Sequence, residues 1–309
     1  MELVHMKFNA IHLTGTAGFV GTCLREFLVT RGYEVIGYDY QFSSNENLHP
    51  NEIFSKLEQM SETKQLIIHL GAVASTSSLK AHLIQERNIE FTEKLANHTA
   101  KNNIPLIFAS SAAVYGVDMN FSRELEPKNL YGISKLESEQ ALCEQYKDSF
   151  GDLLILRLFN VFGEGEIEKA EMMSIPSRFI IDAIKLQKIQ IWKNDSVNNQ
   201  SRDFIYVRDL AEIICRLVEE HPWSESCIDV GTGNSVKFEY VAELLSKMGE
   251  IKTEFSNFPS HIEPQSYQHF TRANTQRLFR MIGVFKFKTL EECLKSMWQH
   301  YYDLTTIVE

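Results

Sequence analysis

Three glycines stand between the first apolar run of the chain and the first amphipathic stretch, and they limit what this region can fold into. The run Ala10–Leu13 is typical of a buried strand, and the residues that follow it predict a helix. Glycines at this junction let the backbone turn tightly and approach a pyrophosphate, which sits on a helix N-terminus where free N–H groups favour an anion. The residues assigned to this loop are Gly15, Gly18, Phe19, Val20 and Gly21. The spacing is GxxGxxG rather than the more usual GxGxxG, and it predicts a dinucleotide site.

An acidic residue follows the second predicted strand, Glu34–Tyr38. Asp39 stands at about the distance from the glycines where a carboxylate binds the adenosine ribose hydroxyls. Its charge would repel a 2′-phosphate, and the next residues, Tyr40, Gln41 and Phe42, add no cation. The sequence therefore favours NAD over NADP, a preference that a basic residue reaching this place from elsewhere in the chain would weaken.

Apolar runs alternate with amphipathic stretches over the first half of the chain, which is typical of βαβ units and a parallel sheet. The runs are short and continuous, as in strands covered on both faces. Strands are predicted at Ala10–Leu13, Glu34–Tyr38, Leu66–Leu70, Pro105–Ala109 and Leu153–Leu158. Helices are predicted at Phe19–Thr30, Asn51–Ser61, Leu83–Lys101 and Ser134–Tyr146. The expected fold is α/β, with a doubly wound parallel sheet of the Rossmann type.

The pattern becomes less regular after about Gly163. Later strands are predicted at Gln190–Trp192, Phe204–Val207 and Cys227–Val230, and later helices at Asp209–Glu219, Phe238–Met248 and Leu290–Tyr301. We expect a dinucleotide-binding part over residues 1–165 and a smaller mixed α/β substrate lobe over residues 166–309, intertwined in one unit. The stretch from Asp39 to Leu66 is short, so the strand that normally borders an adenine pocket is expected to be reduced or missing.

Charge and cysteine content argue against several classes of protein. The formal net charge is −10, whereas a nucleic-acid-binding protein needs clustered cations; an anionic ligand must therefore meet locally placed donors. The five cysteines are widely separated and form no CxxC pair, so neither a disulfide framework nor a metal site is expected. The apolar runs are far shorter than a membrane span and Met1–Ala10 lacks a signal-peptide core, so we expect a cytoplasmic protein that does not bind membranes.

Three residues form a candidate catalytic set. Tyr131 and Lys135 are four positions apart and share one helical face. A free phenol has a pKa of about 10, and a neighbouring cation lowers that pKa, so Tyr131 could act as a general base toward an alcohol. Ser111 ends the fourth predicted strand, at the sheet edge where open α/β folds bind ligands, and its hydroxyl can bond the same oxygen.

Together Ser111, Tyr131 and Lys135 resemble the catalytic set of short-chain dehydrogenases, and the long C-terminal half resembles their extended subgroup. This resemblance implies redox chemistry with a nicotinamide cofactor on a nucleotide-activated sugar. From Ile67 onward the chain is most similar to the ADP-L-glycero-D-manno-heptose 6-epimerase family. The matching stretches are His69–Ala72 through Asn88, Ser110–Gly116, Asn160–Gly163, Arg202–Val207, Val230–Gly233 and Tyr267–Thr271.

In that family a lysine stands where this chain has Lys169, and the resemblance implies a role for it as a second acid/base. Inverting a carbinol by oxidation and re-reduction presents both ketone faces to one fixed nicotinamide. The oxygen then occupies two positions, and each benefits from its own proton carrier. Tyr131 would serve one position and Lys169 the other.

The resemblance also implies binding residues and an assembly. Cofactor contacts are expected from Leu70, Ala72, Asn88, Tyr131 and Lys135, and contacts with a nucleotide-diphosphate sugar from Ser75, Asn160, Ser174, Arg178, Arg202 and Tyr267. Arginine suits bidentate phosphate binding, although Arg202 could instead pair with Asp203 or Asp209. A homo-oligomer, a dimer or larger, is expected.

Other activities remain possible at this point. A C4 dehydrogenase or 4-epimerase of a GDP-, UDP- or dTDP-linked heptose or hexose needs only Ser111, Tyr131 and Lys135. A 4,6-dehydratase is rejected, because Ala112–Ala113 stand where an Asp-Glu pair is required. A catalytically silent NAD-binding regulator is the alternative from another class, and the intact catalytic set argues against it.

Overall fold

The computed structural model describes residues 7–41, 47–74, 80–117, 125–193, 200–257 and 267–306. The strands are β1 (Ala10–Thr14), β2 (Glu34–Tyr38), β3 (Asn47–Leu48), β4 (Gln65–His69), β5 (Leu106–Ser111), β6 (Leu153–Leu158), β7 (Asn160–Phe162), β8 (Lys188–Lys193), β9 (Ser201–Tyr206), β10 (Cys227–Val230), β11 (Ser235–Lys237) and β12 (Lys252–Asn257). The α-helices are α1 (Phe19–Thr30), α2 (Ile53–Gln59), α3 (Ala81–Ile84), α4 (Phe91–Lys101), α5 (Leu130–Gln145), α6 (Ile175–Leu186), α7 (Val207–Glu219), α8 (Phe238–Ser246), α9 (Gln276–Ile282) and α10 (Leu290–Thr306).

Seven strands form one parallel sheet in the order β10-β6-β5-β4-β1-β2-β3. Every residue of β1 and β4 is buried, as expected for strands covered on both faces. Helices α1, α7 and α9 share a core with one face, and α2, α4 and α5 share a core with the other. The doubly wound Rossmann fold is therefore confirmed, and β3, with two residues, is the reduced strand that was expected.

A smaller lobe lies beside this sheet. It contains a three-stranded sheet in the order β11-β9-β7, a parallel pair of β12 and β8, and a core shared by α6, α8 and α10. Between these lobe segments the chain returns to the large sheet, where α7 packs on α1 and β10 pairs with β6. The division at residue 165 therefore stays a prediction about two interleaved parts.

Several elements differ from the sequence prediction. Strands β7, β11 and β12 and helices α6 and α9 were not predicted. The predicted helix Leu83–Lys101 contains a π-helical segment, Gln85–Glu90. Helix α5 begins at Leu130 rather than Ser134, because the side chain of Asn129 caps it by accepting a hydrogen bond from the Gly132 N–H at 2.8 Å.

Two searches cover only the described part of the chain. No helix there has the length and apolar character needed to cross a membrane. The same residues contain no group of three or more His, Cys, Asp or Glu side chains that could hold a metal ion.

A buried carboxylate joins the lobe to the sheet. Asp203 on β9 is fully buried and accepts hydrogen bonds from the N–H groups of Thr232, Gly233 and Ala273 at 2.8 to 3.0 Å, and from the Thr232 hydroxyl at 2.7 Å. These bonds fix the loop that follows β10 and the segment before α9. They satisfy the charge of a carboxylate that burial would otherwise make costly.

We predict that Asp203→Ala lowers the free energy of unfolding by about 3 kcal/mol, because several buried N–H donors lose their acceptor. Urea titration of the purified variant measures this loss. Asp148→Ala, at an exposed position, is the control and should change the value by less than about 0.5 kcal/mol. Equal effects of the two substitutions would contradict this role of Asp203.

Candidate active site

The glycines of the first loop permit contacts that no side chain would allow. Gly15 has a φ of +77°, and a Cβ there would lie 2.8 Å from the backbone N of Gly71. A Cβ on Gly21 would lie 1.9 Å from the carbonyl oxygen of Gly15. The loop, helix α1 and the segment after β4 therefore approach one another at backbone distance, as a pyrophosphate-binding turn requires. Gly18 is the N-cap of α1, and Phe19 and Val20 are its first residues.

Asp39 follows β2 and faces this loop. One carboxylate oxygen accepts the N–H of Ala17 at 2.9 Å, and the other accepts the N–H of Gln41 at 3.0 Å. A carboxylate has about four acceptor sites, so two remain for hydroxyl donors. Asp39 thus stabilises the loop and keeps the capacity to accept bonds from ribose hydroxyls.

A cavity of about 530 Å³ opens over the glycine loop. Its lining includes Gly15, Gly18, Asp39, Tyr40, Leu70, Ala72, Arg87, Lys169 and Met172. Leu70 and Ala72, two of the predicted cofactor contacts, line this cavity. Asn88, also predicted to contact the cofactor, is buried against the segment after β4. Its side chain accepts the Val73 N–H at 2.7 Å and donates to the Val73 carbonyl and the Ser134 hydroxyl, both at 3.1 Å.

The three candidate catalytic residues meet at the carboxyl edge of β5. The hydroxyl of Tyr131 forms a hydrogen bond with the hydroxyl of Ser111. Lys135 is buried one turn further along α5; its Nζ donates to the Ala109 carbonyl at 2.6 Å and lies 5.9 Å from the Tyr131 ring centroid. The strand end and the first turns of one helix therefore bring Ser111, Tyr131 and Lys135 together, as predicted.

Burial dominates the protonation of this pair. It raises the pKa of Tyr131 above its usual value, and the hydrogen bond with Ser111 opposes that rise. The expected lowering of the Tyr131 pKa by Lys135 is not found, because burial also disfavours the ammonium. Burial lowers the pKa of Lys135 to about 7, and only the charge of Glu139 raises it.

A buried ion pair lies behind the three candidate catalytic residues. Glu139 on α5 pairs with Arg157 on β6 through two bonds, of 3.0 and 2.6 Å, and accepts the Ser110 hydroxyl at 2.5 Å. Arg157 also donates to the hydroxyl of Tyr115 at 3.0 Å, and Tyr115 donates to Asp229 on β10 at 2.5 Å. This network joins α5 to β5, β6 and β10 directly beneath the catalytic side chains.

Lys169 borders the dinucleotide cavity. Its Nζ lies 3.1 Å from Glu166 Oε1 and 4.3 Å from the centroid of the Phe19 ring. Glu166 is almost fully buried and also accepts the N–H of Ser174 at 2.9 Å and the hydroxyls of Ser174 and Ser177 at 2.6 and 2.5 Å. Ser174 is also the N-cap of α6. These bonds hold Glu166 in place, and Glu166 in turn fixes the position of Lys169.

Arg202 is a buried cation close to Tyr267. Its Nη1 donates to the Ser201 carbonyl at 3.1 Å, its guanidinium lies 5.1 Å from the centroid of the Tyr267 ring, and burial lowers its pKa. No ion pair of Arg202 occurs among the described residues: the carboxylate of Asp203 accepts four other donors, and that of Asp209 accepts the Lys288 N–H. A buried guanidinium without a carboxylate is suited to an anionic ligand.

Asn160 and Arg178 lie in two different surroundings. The side-chain amide of Asn160 donates to the Asp203 carbonyl at 3.1 Å and to the Thr271 hydroxyl at 2.9 Å. Arg178 lies over the ring of Trp192, 5.3 Å from its centroid. Ser75 lies outside the described residues.

A separate pocket of about 210 Å³ lies beside Arg178 and Trp192. Gln200 lines it and is 4% exposed; its Nε2 donates to the Trp192 carbonyl at 2.6 Å, which turns Oε1 away from that carbonyl. Among the described residues, Oε1 has no hydrogen-bond partner. The pocket therefore offers a buried acceptor next to an aromatic ring, and Asp182 adds a carboxylate to its lining.

Residues 11–228 match the NAD dependent epimerase/dehydratase family. The chain belongs to this family. It is 29% identical to the ADP-L-glycero-D-manno-heptose-6-epimerase of Alkalilimnicola ehrlichii over 289 residues, which cover 87% of this chain and 90% of the relative. The family membership makes the chain an NAD-dependent enzyme of the nucleotide-sugar epimerase and oxidoreductase type.

Solved structures of the family share the fold. One is the UDP-N-acetylglucosamine 4-epimerase of Methanobrevibacter ruminantium, with a TM-score of 0.82, 25% identity and coverage of 97% of this chain and 100% of that chain. Another is the UDP-glucose 4-epimerase of Thermus thermophilus in complex with NAD, with a TM-score of 0.75, 21% identity and coverage of 94% and 98%. The glycine cradle and Asp39 fit the NAD on which the family depends.

Three residues of this epimerase-family site were not predicted from the sequence. Glu139 stands four positions after Lys135, so the helical repeat could have placed it on the same face. Glu166 precedes Lys169 by three positions, but nothing in the sequence indicated that its carboxylate would be buried. Gln200 precedes Arg202 by two positions, but nothing in the sequence indicated that one of its polar atoms would be buried without a partner.

We predict that wild-type protein gains stability relative to Lys135→Met as the pH rises from about 7 to about 10. Over that range the folded state has released the Lys135 proton while the unfolded chain still holds it, because the folded pKa of about 7 lies below the ordinary 10.5. Below pH 7 both states are protonated and the cost of burying the ammonium is complete. Urea unfolding of cofactor-free protein across this range measures the difference, and a difference independent of pH would contradict the assignment.

Proposed function

We propose that this enzyme epimerises a nucleotide-activated heptose at C6 by transient oxidation and re-reduction. The observation that carries the proposal is the position of Lys169 on the wall of the dinucleotide cavity, held by Glu166. A proton carrier beside the cofactor, in addition to Tyr131, is what a two-position mechanism requires. The similarity to a heptose epimerase over most of the chain supports the same substrate.

In this mechanism Tyr131 and Ser111 act on one position of the carbinol oxygen. Bound NAD supplies the ring that accepts and returns the hydride. Ser111 donates a hydrogen bond to the oxygen, and Tyr131 takes its proton or returns it. Lys135, fixed by the Ala109 carbonyl, favours the phenolate when it carries its charge.

Lys169 acts on the second position. Its Nζ, 3.1 Å from Glu166 Oε1, would donate a proton to the ketone oxygen once the opposite face is presented. Glu166 is also bonded to Ser174 and Ser177, so the ammonium is held at a fixed point. The arrangement limits the loss of conformational freedom when the substrate binds.

Arg202 and the pocket beside Trp192 would bind the nucleotide part of the substrate. The buried guanidinium of Arg202 suits the diphosphate. The pocket of about 210 Å³ has room for a base, and the open acceptor of Gln200 suits an N–H donor on the base edge. Asn160 and Tyr267 would contact the sugar, Ser174 and Arg178 the sugar or its diphosphate, and Ser75 completes the proposed set.

A C4 dehydrogenase or 4-epimerase acting on a GDP-, UDP- or dTDP-linked sugar is the second candidate. The fold similarity to a 4-epimerase favours it, with the TM-score of 0.82 given above. Such an enzyme needs Ser111, Tyr131 and Lys135 but not Lys169. The two candidates therefore differ in what the loss of Lys169 does.

Location and assembly belong to the same proposal. The five cysteines are all free, which fits a reducing cytoplasm. Helices α4 and α5 pack side by side, and we propose that this pair meets its copy in a homo-oligomer. Light scattering of the purified protein tests the assembly.

The decisive experiment is proton NMR of the enzyme with ADP-D-glycero-D-manno-heptose in heavy water, without added cofactor. Conversion to the L-glycero epimer with no deuterium at C6 is the expected result, because the hydride leaves and returns without exchanging with solvent. No conversion, even after NAD is supplied, would exclude this substrate. The same assay with GDP-, UDP- and dTDP-linked sugars then tests the C4 candidate.

We predict that Lys169→Met lowers kcat of the epimerisation at least about 100-fold, the usual effect of removing a general acid or base. Tyr131→Phe should cause a loss of similar size. Lys147→Met, which removes an exposed lysine paired with Glu144, is the matched control and should retain full activity. An active Lys169→Met enzyme would support the one-base C4 candidate.

We predict that Gln200→Leu raises the Kd of the nucleotide diphosphate about ten-fold, because the base loses a buried acceptor. Calorimetry with ADP, GDP and UDP measures the effect and ranks the bases. The control is Gln145→Leu at an exposed position on α5. Unchanged affinities for all three nucleotides would show that the pocket does not hold the base.

A further inference from the structure

One arginine that is not among the predicted cofactor contacts reaches the cofactor cavity. Arg87 lines the cavity near Asp39, Tyr40 and Gln41. It lies on the π-helical turn Gln85–Glu90, between α3 and α4. Such turns are rare and occur frequently at functional sites. The next residue of the turn, Asn88, bonds the Val73 loop, so two consecutive side chains of this turn serve the walls of the cavity.

The guanidinium of Arg87 stacks on an aromatic ring. It lies over the ring of Tyr40, with 3.9 Å between its central carbon and the ring centroid. Its Nε is buried and has no hydrogen-bond partner within the described ranges. Because a buried donor without an acceptor is costly, this arrangement indicates that a ligand supplies the acceptor.

The strand that follows Tyr40 along the chain is short. β3 has only two residues, Asn47 and Leu48, and the Asn47 side chain is occupied by accepting the Thr16 hydroxyl at 2.9 Å. Arg87 and Tyr40 stand on the cavity wall near this short strand. The Asp39 carboxylate can accept hydrogen bonds from hydroxyl groups, whereas the Nε–H of Arg87 needs an acceptor such as a ring nitrogen or a ribose oxygen. Adenosine provides both the hydroxyl donors and such acceptors.

We propose that Arg87 and Tyr40 form the adenosine wall of the NAD site, with the Nε–H of Arg87 donating to the adenosine and its planar guanidinium stabilised by Tyr40. The inference rests on the NAD dependence of the family and not on the identity of the sugar. It adds a determinant of cofactor affinity that compensates for the reduced strand. The positive charge of Arg87 also offsets the negative charge of Asp39, which lines the same cavity.

Calorimetry on cofactor-free protein tests the proposed adenosine wall by measuring the Kd of NAD and of ADP-ribose. Arg87→Met is expected to weaken NAD about ten-fold and to weaken ADP-ribose by the same factor, because both ligands carry the adenosine. Arg87→Lys should not restore binding, since an ammonium has neither the planar group nor the Nε–H. Arg280→Met, at an exposed ion pair, is the control and should bind NAD as wild type does.

Three outcomes would overturn the proposal: NAD affinity of Arg87→Met within two-fold of wild type, full rescue by lysine, or a loss confined to NADP, which would assign Arg87 to a 2′-phosphate. Tyr40→Leu removes the stacked ring while leaving Arg87, and a several-fold loss of NAD and ADP-ribose affinity is expected. This second variant keeps the test valid if Arg87→Met is unstable. Because the experiment measures cofactor binding, its result does not depend on whether the enzyme turns over any of the sugar substrates.

Discussion

The arrangement of the three candidate catalytic residues depends on the carboxylate of Glu139. One buried side chain on α5 bonds Ser110 on β5 and Arg157 on β6, and through Arg157 and Tyr115 it reaches Asp229 on β10. Removing one partner from a buried pair of this kind leaves an uncompensated charge, which is strongly destabilising. The network therefore fixes the distance between the strand that carries Ser111 and the helix that carries Tyr131 and Lys135. The charge of Glu139 also raises the pKa of Lys135, against the larger effect of burial.

The net charge of the chain is negative, so an anionic ligand must be bound by a few cations placed within its sites. With a formal charge of −10 the molecule as a whole repels a nucleotide diphosphate, so attraction must be local. Arg202 is buried without a carboxylate, Lys169 is paired but faces the dinucleotide cavity, and Arg87 is held by an aromatic ring. Each of these three cations is kept in position by groups that leave part of it available to a ligand.

Much of the fold could be predicted from the sequence, because the central strands are continuous apolar runs bounded by turn residues. That Ser111, Tyr131 and Lys135 lie together could be predicted too, since Tyr131 and Lys135 are related by local helical spacing and Ser111 stands at the end of a strand. What could not be predicted depends on distant partners. Strand β12 is mostly exposed and exists through pairing with β8, and β11 and β7 exist through β9. The π-helical turn that directs Arg87, the open acceptor of Gln200 and the bonds of Glu166 likewise arise only when separate segments meet.

The return of the chain to the large sheet has a consequence for how this protein can be made and altered. Strand β10 completes the sheet beside β6 only after the segment carrying β7, β8 and β9 has been formed. On the ribosome the six strands β1 to β6 therefore emerge first, and the edge of β6 that binds β10 stays unpaired until the strands β7, β8 and β9 have followed. For the same reason, a lobe borrowed from a relative could not be joined at one point. Its transfer would require matched crossovers on both sides of α7 and β10, so new specificity would arise more readily by changing side chains than by shuffling segments.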